Sequence, residues 1–177
     1  MKRFGAVSLA LVTALAGCGK PEPVVVLDSE WNVDSAIGAC TGANRWHQEN
    51  AWLISRFRCE QFISCQSMTA VVNACLRDPV QQVREFEAEL AAQFAATSEC
   101  GSIHLINPTT SHEKNKAASD ALKRPHWSLG LDFSPGAEKQ QWTMIHSVDQ
   151  IPIAQGKGDP HEIAVKACAA VRQTGAG

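Results

Sequence analysis

The sequence contains no tyrosine, few charged residues and no excess of charge of either sign. Its 177 residues include 16 Lys and Arg against 18 Asp and Glu, so the net charge is -2 and charged residues make up only 19% of the chain. This composition argues against a nucleic-acid-binding protein, because such proteins neutralise many phosphates with Lys and Arg. It also excludes a disordered chain, since 45% of the residues are hydrophobic. The length fits one globular domain.

Complete catalytic and metal-binding motifs are also absent from the sequence. Residues 112–116 (HEKNK) and 161–165 (HEIAV) begin like the zinc motif H-E-x-x-H, but Lys116 and Val165 replace its second histidine. Residues 111–114 (SHEK) fit S-x-x-K without the S-D-N and K-T-G elements that accompany it in enzymes. We therefore predict no catalytic residue, no cofactor and no metal site.

Scattered polar residues are weaker candidates. His104 and His146 lie on predicted strands and would face each other if those strands were neighbours, so they are the histidine pair with the most chemical interest. Asp28, Glu30 and Asp34 form an acidic stretch that we interpret as solvated surface.

The N-terminus is the most informative segment. Lys2 and Arg3 precede an uncharged apolar run over residues 4–15. This run is too short to cross a hydrocarbon core of about 30 Å as a helix, and it is typical of the hydrophobic region of a signal peptide. The next residues, 15–18 (LAGC), match all four positions of the lipobox. In this processing segment the chain resembles bacterial lipoproteins.

The resemblance implies cleavage before Cys18, a diacylglyceryl thioether on its sulfur and further acylation, with palmitate as an expected fatty acid. Several acyl chains, at about 0.8 kcal/mol per buried methylene, anchor a protein stably in a membrane. Gly19 stands where Asp is associated with inner-membrane retention, which favours the periplasmic face of the outer membrane over the inner membrane. The expected organisation is a signal peptide over 1–17, a lipidated tether over 18–23 and a single globular periplasmic domain over 24–177.

The remaining cysteines favour disulfides, because they are an even number in an oxidising compartment and no two have the C-x-x-C spacing of zinc or redox sites. They are Cys40, Cys59, Cys65, Cys75, Cys100 and Cys168. Sequence alone leaves the pairing open. If Cys59 and Cys65 shared a helix they would lie about 9 Å apart, beyond the ~7 Å limit for a bridge. This argues only against a Cys59–Cys65 bridge; among the pairings that remain open, we prefer Cys40 with Cys59, Cys65 with Cys75, and Cys100 with Cys168.

Hydrophobic periodicity predicts four helices. Residues 43–65 form the first, and residues 68–76 carry one buried helical face. Asp78 and Asp159 are each followed by proline, which predicts a capped helix start at both positions, with Gln81 completing a capping box after Asp78.

Alternation with a period of two predicts strands over 127–133 and 142–146, joined as a hairpin, and a third strand over 102–106. Residues 111–123 are interpreted as a polar helix or loop, and residues 156–158 (GKG) as the loop before the last helix. The fold class is therefore α+β, with a small, mainly antiparallel sheet of about three strands packed against several helices and braced by disulfides.

These observations favour a non-enzymatic, lipid-anchored periplasmic protein that binds a protein partner in the cell envelope, of the inhibitor or immunity type. The alternatives are an accessory lipoprotein of a secretion or conjugation apparatus, and a small envelope hydrolase in which His104 or His146 works with a carboxylate assembled in space. The expected partners are the membrane, through Cys18, and a periplasmic protein, but not a nucleic acid.

Three features are candidates for the contact surface. The segments Asn107–Lys116 and Ser134–Gln141 are predicted to project from the sheet. Trp46 and Trp52 are six residues apart, so one helical face cannot bury both. One of them is expected either to be exposed or to lie in a second core layer.

Overall fold

A computed structural model describes residues 22–56, 62–107, 120 and 123–174. The predicted signal peptide, the acyl acceptor Cys18, Cys59 and residues 108–116 of the predicted contact loop lie outside the described residues. The described elements are β1 (Val24–Leu27), α1 (Ser29–Glu49), α2 (Ala51–Arg56), α3 (Ile63–Ala74), α4 (Pro79–Ala96), β2 (His104–Ile106), β3 (Trp127–Asp132), β4 (Gln140–His146), β5 (Pro152–Gly158) and α5 (Pro160–Gln173).

The domain is α+β, as predicted, but its sheet is larger than expected and mixed. The strand order is β2-β1-β3-β4-β5, with β1 parallel to both β2 and β3 and the other pairs antiparallel. The prediction of about three mainly antiparallel strands is therefore wrong. Four apolar residues in a row form β1, and such short buried parallel strands have no alternation to reveal them. Residues 156–158 end β5 rather than forming a loop, because an edge strand tolerates proline and glycine.

One face of the sheet, the core face, packs against the helices. Leu129 and Leu131 of β3 are fully buried, and they lie opposite Met144 and Trp142 of β4. Helices α4 and α5 and Ala36 of α1 cover these side chains. Each fully buried large apolar side chain contributes about 1.5–3 kcal/mol, so this layer is the main source of stability.

The two predicted helix starts are confirmed. Asp159 accepts a hydrogen bond from the Glu162 backbone N–H, and the Glu162 side chain accepts one from the Asp159 N–H, which completes a capping box. Asp78 accepts from the backbone N–H of Val80, but Gln81 does not complete a box there. Its side-chain amide donates to Glu85 instead.

The first helix begins much earlier than predicted. The side chain of Asp28 accepts from the backbone N–H of Trp31 and caps α1, which starts at Ser29 and not at residue 43. The buried positions of α1 are small or polar, so no large apolar residues mark the period of the helix: Ser29, Asn32, Ala36, Cys40 and Ala43. The aspartate at position 28 was the available signal for this start.

The disulfides confirm one predicted pair and correct the others. Cys100 bridges to Cys168 of α5, as predicted. Cys40 bridges to Cys75, so the predicted pairs Cys40–Cys59 and Cys65–Cys75 are both wrong. The physical reason is that Cys40 lies in the middle of α1, where α3 packs alongside that helix. Cys65 is disulfide-bonded as well.

Candidate binding surface

The second half of α1, α2 and α3 form a region that differs from the rest of the domain. We call it the helical arm and define it as residues 40–56 and 62–76. Helices α2 and α3 pack mainly on α1 and not on the sheet. No residue of α2 is buried, and Cys65 is the only buried residue of α3. The arm therefore has almost no hydrophobic core of its own.

Large apolar side chains of the arm are instead exposed to solvent. Trp52 is 61% exposed, Ile63 and Leu76 are each 84% exposed, and Phe62 is 44% exposed. Trp46 and Trp52 do not share a helix as predicted: Trp46 lies on α1 and is half-buried, whereas Trp52 lies on α2 and is exposed. Four of the eight exposed large apolar side chains in the described residues therefore belong to the arm, although it is the smaller region; the other four are Trp31, Ile37, Val148 and Ile151. Exposed aromatic and aliphatic side chains of this kind are candidates for protein contact.

Disulfides take the place of a core in the arm. The Cys40–Cys75 bridge ties the end of α3 to α1, and Cys65 near the start of α3 is bridged too. Small units that cannot bury enough apolar surface are commonly held in this way. The bridges let the arm keep its shape while it displays apolar groups, which lowers the entropic cost of binding.

The predicted projecting tip over 134–141 folds back on the protein. Gln140 is 1% exposed, and its side chain accepts a hydrogen bond from the Ser134 N–H and donates one to the Ser134 carbonyl. Gly136 has a φ of 77°, and a Cβ there would lie 2.6 Å from the Cβ of Ala74. The tip is thus packed against the end of α3, and the prediction that it projects is wrong.

The two histidines on predicted strands do not meet. His104 lies on the edge strand β2, and His146 lies on β4, three strand spacings or about 14 Å away. His104 pairs with Glu22. His146 hydrogen-bonds Asp149 on the exposed turn after β4, and this bond holds the pKa of Asp149 below its ordinary value. Each histidine therefore has a separate surface carboxylate, and the pair forms no joint site.

A buried polar network that the sequence did not reveal joins α1 to the core. The carboxylate of Glu87 on α4 is fully buried and accepts hydrogen bonds from Ser29 Oγ at 3.0 Å and Asn32 Nδ2 at 2.7 Å. Asn107, after β2, donates to the same carboxylate at 3.4 Å. Asn32 also accepts from the backbone N–H of Leu131 at 2.7 Å, beyond the point where β1 ends.

This network can be explained by packing alone. Glu87 occupies a position on the buried face of α4 between Val83 and Leu90, so its periodicity is that of a core residue. Its buried carboxylate is satisfied by side-chain donors from the first turn of α1 and from the residue after β2. We therefore assign it the role of fastening α1, and with it the helical arm, to the sheet.

Neither a metal centre nor a membrane-spanning helix occurs in the described part of the chain. There, no three His, Cys, Asp or Glu side chains form a group suited to a metal ion, and no helix has both the length and the apolarity to cross a bilayer. Comparison with protein-family models, curated proteins and solved structures finds no match.

Proposed function

We propose that this protein is a lipid-anchored, non-enzymatic binding protein of the bacterial envelope whose helical arm docks on a protein partner. The observation that carries the proposal is the exposure of Trp52, Phe62 and Ile63 on an arm that is held by disulfides. Tryptophan and phenylalanine supply much of the binding energy at protein interfaces because they bury large areas with few rotatable bonds.

The disulfides also support an extracytoplasmic location. Every cysteine in the described part of the chain is disulfide-bonded, and such bonds persist in oxidising compartments such as the periplasm. Together with the lipobox over 15–18, this supports a domain that hangs from acylated Cys18 at the periplasmic face of the outer membrane.

Within this class we propose an inhibitor or immunity-type lipoprotein. Such a protein needs a rigid, preformed surface, and the bridged arm offers one. An accessory role in a secretion or conjugation apparatus would use the same surface. A small hydrolase would use one histidine with a carboxylate, and His104 does pair with Glu22 and His146 with Asp149. Such an enzyme also needs a nucleophile within hydrogen-bonding reach of its base, and in the described part of the chain neither histidine hydrogen-bonds a Ser, Thr or Cys side chain.

Site-specific photocrosslinking in intact cells tests the arm. A benzoylphenylalanine residue placed at position 52 is expected to give one discrete crosslinked protein, whereas the same residue at position 84, where Arg84 is exposed on α4, should give none. Adding Ile63→Ser to the position-52 probe should reduce the yield. A crosslink from position 84 that is as strong as the one from position 52 would contradict an arm-specific partner.

Mass spectrometry tests the anchor separately. The mature protein is expected to begin at Cys18 and to carry the mass of its acyl chains. A mature protein without acyl mass would refute the lipid anchor and leave the crosslinking result unaffected.

A further inference from the structure

A shallow depression of about 380 Å³ lies on the last three strands. Five of its seven lining residues alternate along their strands with core-face residues such as Trp142, so their side chains belong to the outer face of the sheet. Its volume falls within the range of small-molecule sites, about 300–1,000 Å³. It lies on β3, β4 and β5, away from the helical arm. The residues that line it are Asp132, Gln141, Trp142, Thr143, Gln155, Gly156 and Lys157.

The strand register brings five polar residues into two rows. Asp132, Gln141 and Lys157 lie directly opposite one another on three neighbouring strands. Thr143 and Gln155 form the next row along the same face. Facing residues on paired strands have Cβ atoms about 4.5–5.5 Å apart, so a single ligand can contact all five side chains.

The hydrogen-bonding capacity of these five side chains is unused within the described part of the chain, where none of them makes a side-chain hydrogen bond or an ion pair. The amides of Gln141 and Gln155 and the hydroxyl of Thr143 both donate and accept. Asp132 and Lys157 carry opposite charges that balance each other. The depression therefore suits an uncharged ligand that has many donors and acceptors.

An indole ring borders this polar patch. A Cβ built on Gly130 would lie 3.4 Å from Cδ1 of Trp31, so the ring sits over the glycine, and Gly130 is the direct partner of Thr143 across the strands. Trp31 is 55% exposed. The ring therefore lies over this part of the sheet, and its exposed part can stack on an apolar ligand surface.

From this juxtaposition we propose that the outer face of the sheet binds a neutral oligosaccharide, with N-acetylated hexoses as the best-matched class. A sugar ring offers hydroxyls for the two polar rows and a face of C–H groups for the indole, and an acetamido group pairs in both directions with a glutamine amide. An extended peptide lying over the two polar rows fits less well, because the main-chain groups of β3 and β4 are used by neighbouring strands. The open edge of β5 could add a strand, but a peptide there would lie beside the sheet and not over these rows. The balanced charge gives no preference for an anionic ligand.

Isothermal titration of the purified full protein in detergent micelles with chitotetraose tests this site. Saturable binding with a Kd of about 1 mM or below is expected for the unaltered protein. The Trp31→Ala variant should bind about tenfold more weakly or not at all, since it removes the stacking platform. Gln155→Ala should weaken binding about threefold or more. The anionic oligomer tetragalacturonate should bind more weakly than chitotetraose.

A matched tryptophan on the arm provides the control. Trp52→Ala removes an equally exposed indole and should leave the Kd for chitotetraose unchanged, even though it is expected to impair the protein partner contact. Equal thermal midpoints of the Trp31→Ala and unaltered proteins would show that folding is intact. Absence of binding by the unaltered protein, equal loss in both tryptophan variants, or tighter binding of tetragalacturonate would each overturn the proposal.

Discussion

The sheet with its covering helices and the helical arm are stabilised by different means. In the sheet region Leu129, Leu131 and Met144 are fully buried, and α5 adds a continuous apolar face. In the arm no residue of α2 is buried, and the Cys40–Cys75 disulfide holds the end of α3 against α1.

The difference explains why the arm can display apolar groups. A region held by covalent bridges can place such side chains outside without losing its shape. Stability is therefore concentrated in the sheet region, while the smaller arm carries four of the eight exposed large apolar side chains of the described residues.

Truncation of a core leucine should give the largest effect. Leu129→Ala is expected to lower the free energy of unfolding by about 3–5 kcal/mol, because it removes a fully buried side chain from the central part of the sheet. Ile63→Ala on the arm removes a comparable side chain that is 84% exposed and should change stability by no more than ~0.5 kcal/mol. Urea denaturation measures both. Similar decreases in the free energy of unfolding for the two variants would contradict the proposed difference in stabilisation between the two regions.

Removal of the arm disulfide should have the next largest effect, and it should be local. Cys40→Ser/Cys75→Ser is expected to lower the opening free energy of α3 by about 3 kcal/mol. Without the bridge, the segment between these positions, which are 35 residues apart, gains conformational entropy in the open state. Amide hydrogen exchange should accelerate in α3 and stay slow in β3. Cys100→Ser/Cys168→Ser serves as the control and should destabilise α5 and the sheet together. Uniform acceleration in the first variant would refute a separately held arm.

The buried carboxylate tests how the two regions are coupled. Glu87→Ala leaves the donors of Ser29 and Asn32 without this acceptor and should cost about 2 kcal/mol of stability. Glu89→Ala, at an exposed position of the same helix, should be close to neutral. If both variants unfold at the same urea concentration, the network does not fasten α1 to the core.

The smallest effect concerns pH at the start of α5. A hydrogen bond from Lys139 is the main cause that lowers the pKa of Glu162 below its ordinary value, and the bond to the Asp159 N–H lowers it further. Because the folded pKa is lowered, the resulting stabilisation is complete above the ordinary value of 4.5 and is lost as the pH falls through the lowered one. In an NMR titration, Lys139→Met should raise the pKa of Glu162. An unchanged titration curve would contradict this assignment.

Local chemistry made parts of the fold predictable. Asp159 and Pro160 predict the start of α5, because the capping box joins Asp159 to Glu162, a close neighbour along the chain. The alternation of β3 is equally local, since one face of that strand meets the core and the other does not.

Other features depended on residues far apart in the chain. The parallel partners of β1 are residues 104–106 and 127–129, and no local pattern indicates which segments will pair. Cys40 pairs with Cys75 because Cys40 lies within α1, alongside α3. The sequence did not show this, since α1 begins fourteen positions before the start at residue 43 that its apolar residues indicate. The outer-face depression could not be predicted from the sequence either, because its two rows of polar residues form only when β3, β4 and β5 pair in register.

By itself, the sequence determined the helix caps, the alternating strands, the tendency of the cysteines to pair and the lipobox, because each is encoded within a few neighbouring residues. The tertiary structure alone decided the strand order, the disulfide partners, the buried site of Glu87 and the division into core and arm. Those features depend on contacts between distant segments, whose loop-closure entropy is offset only when many such contacts form together.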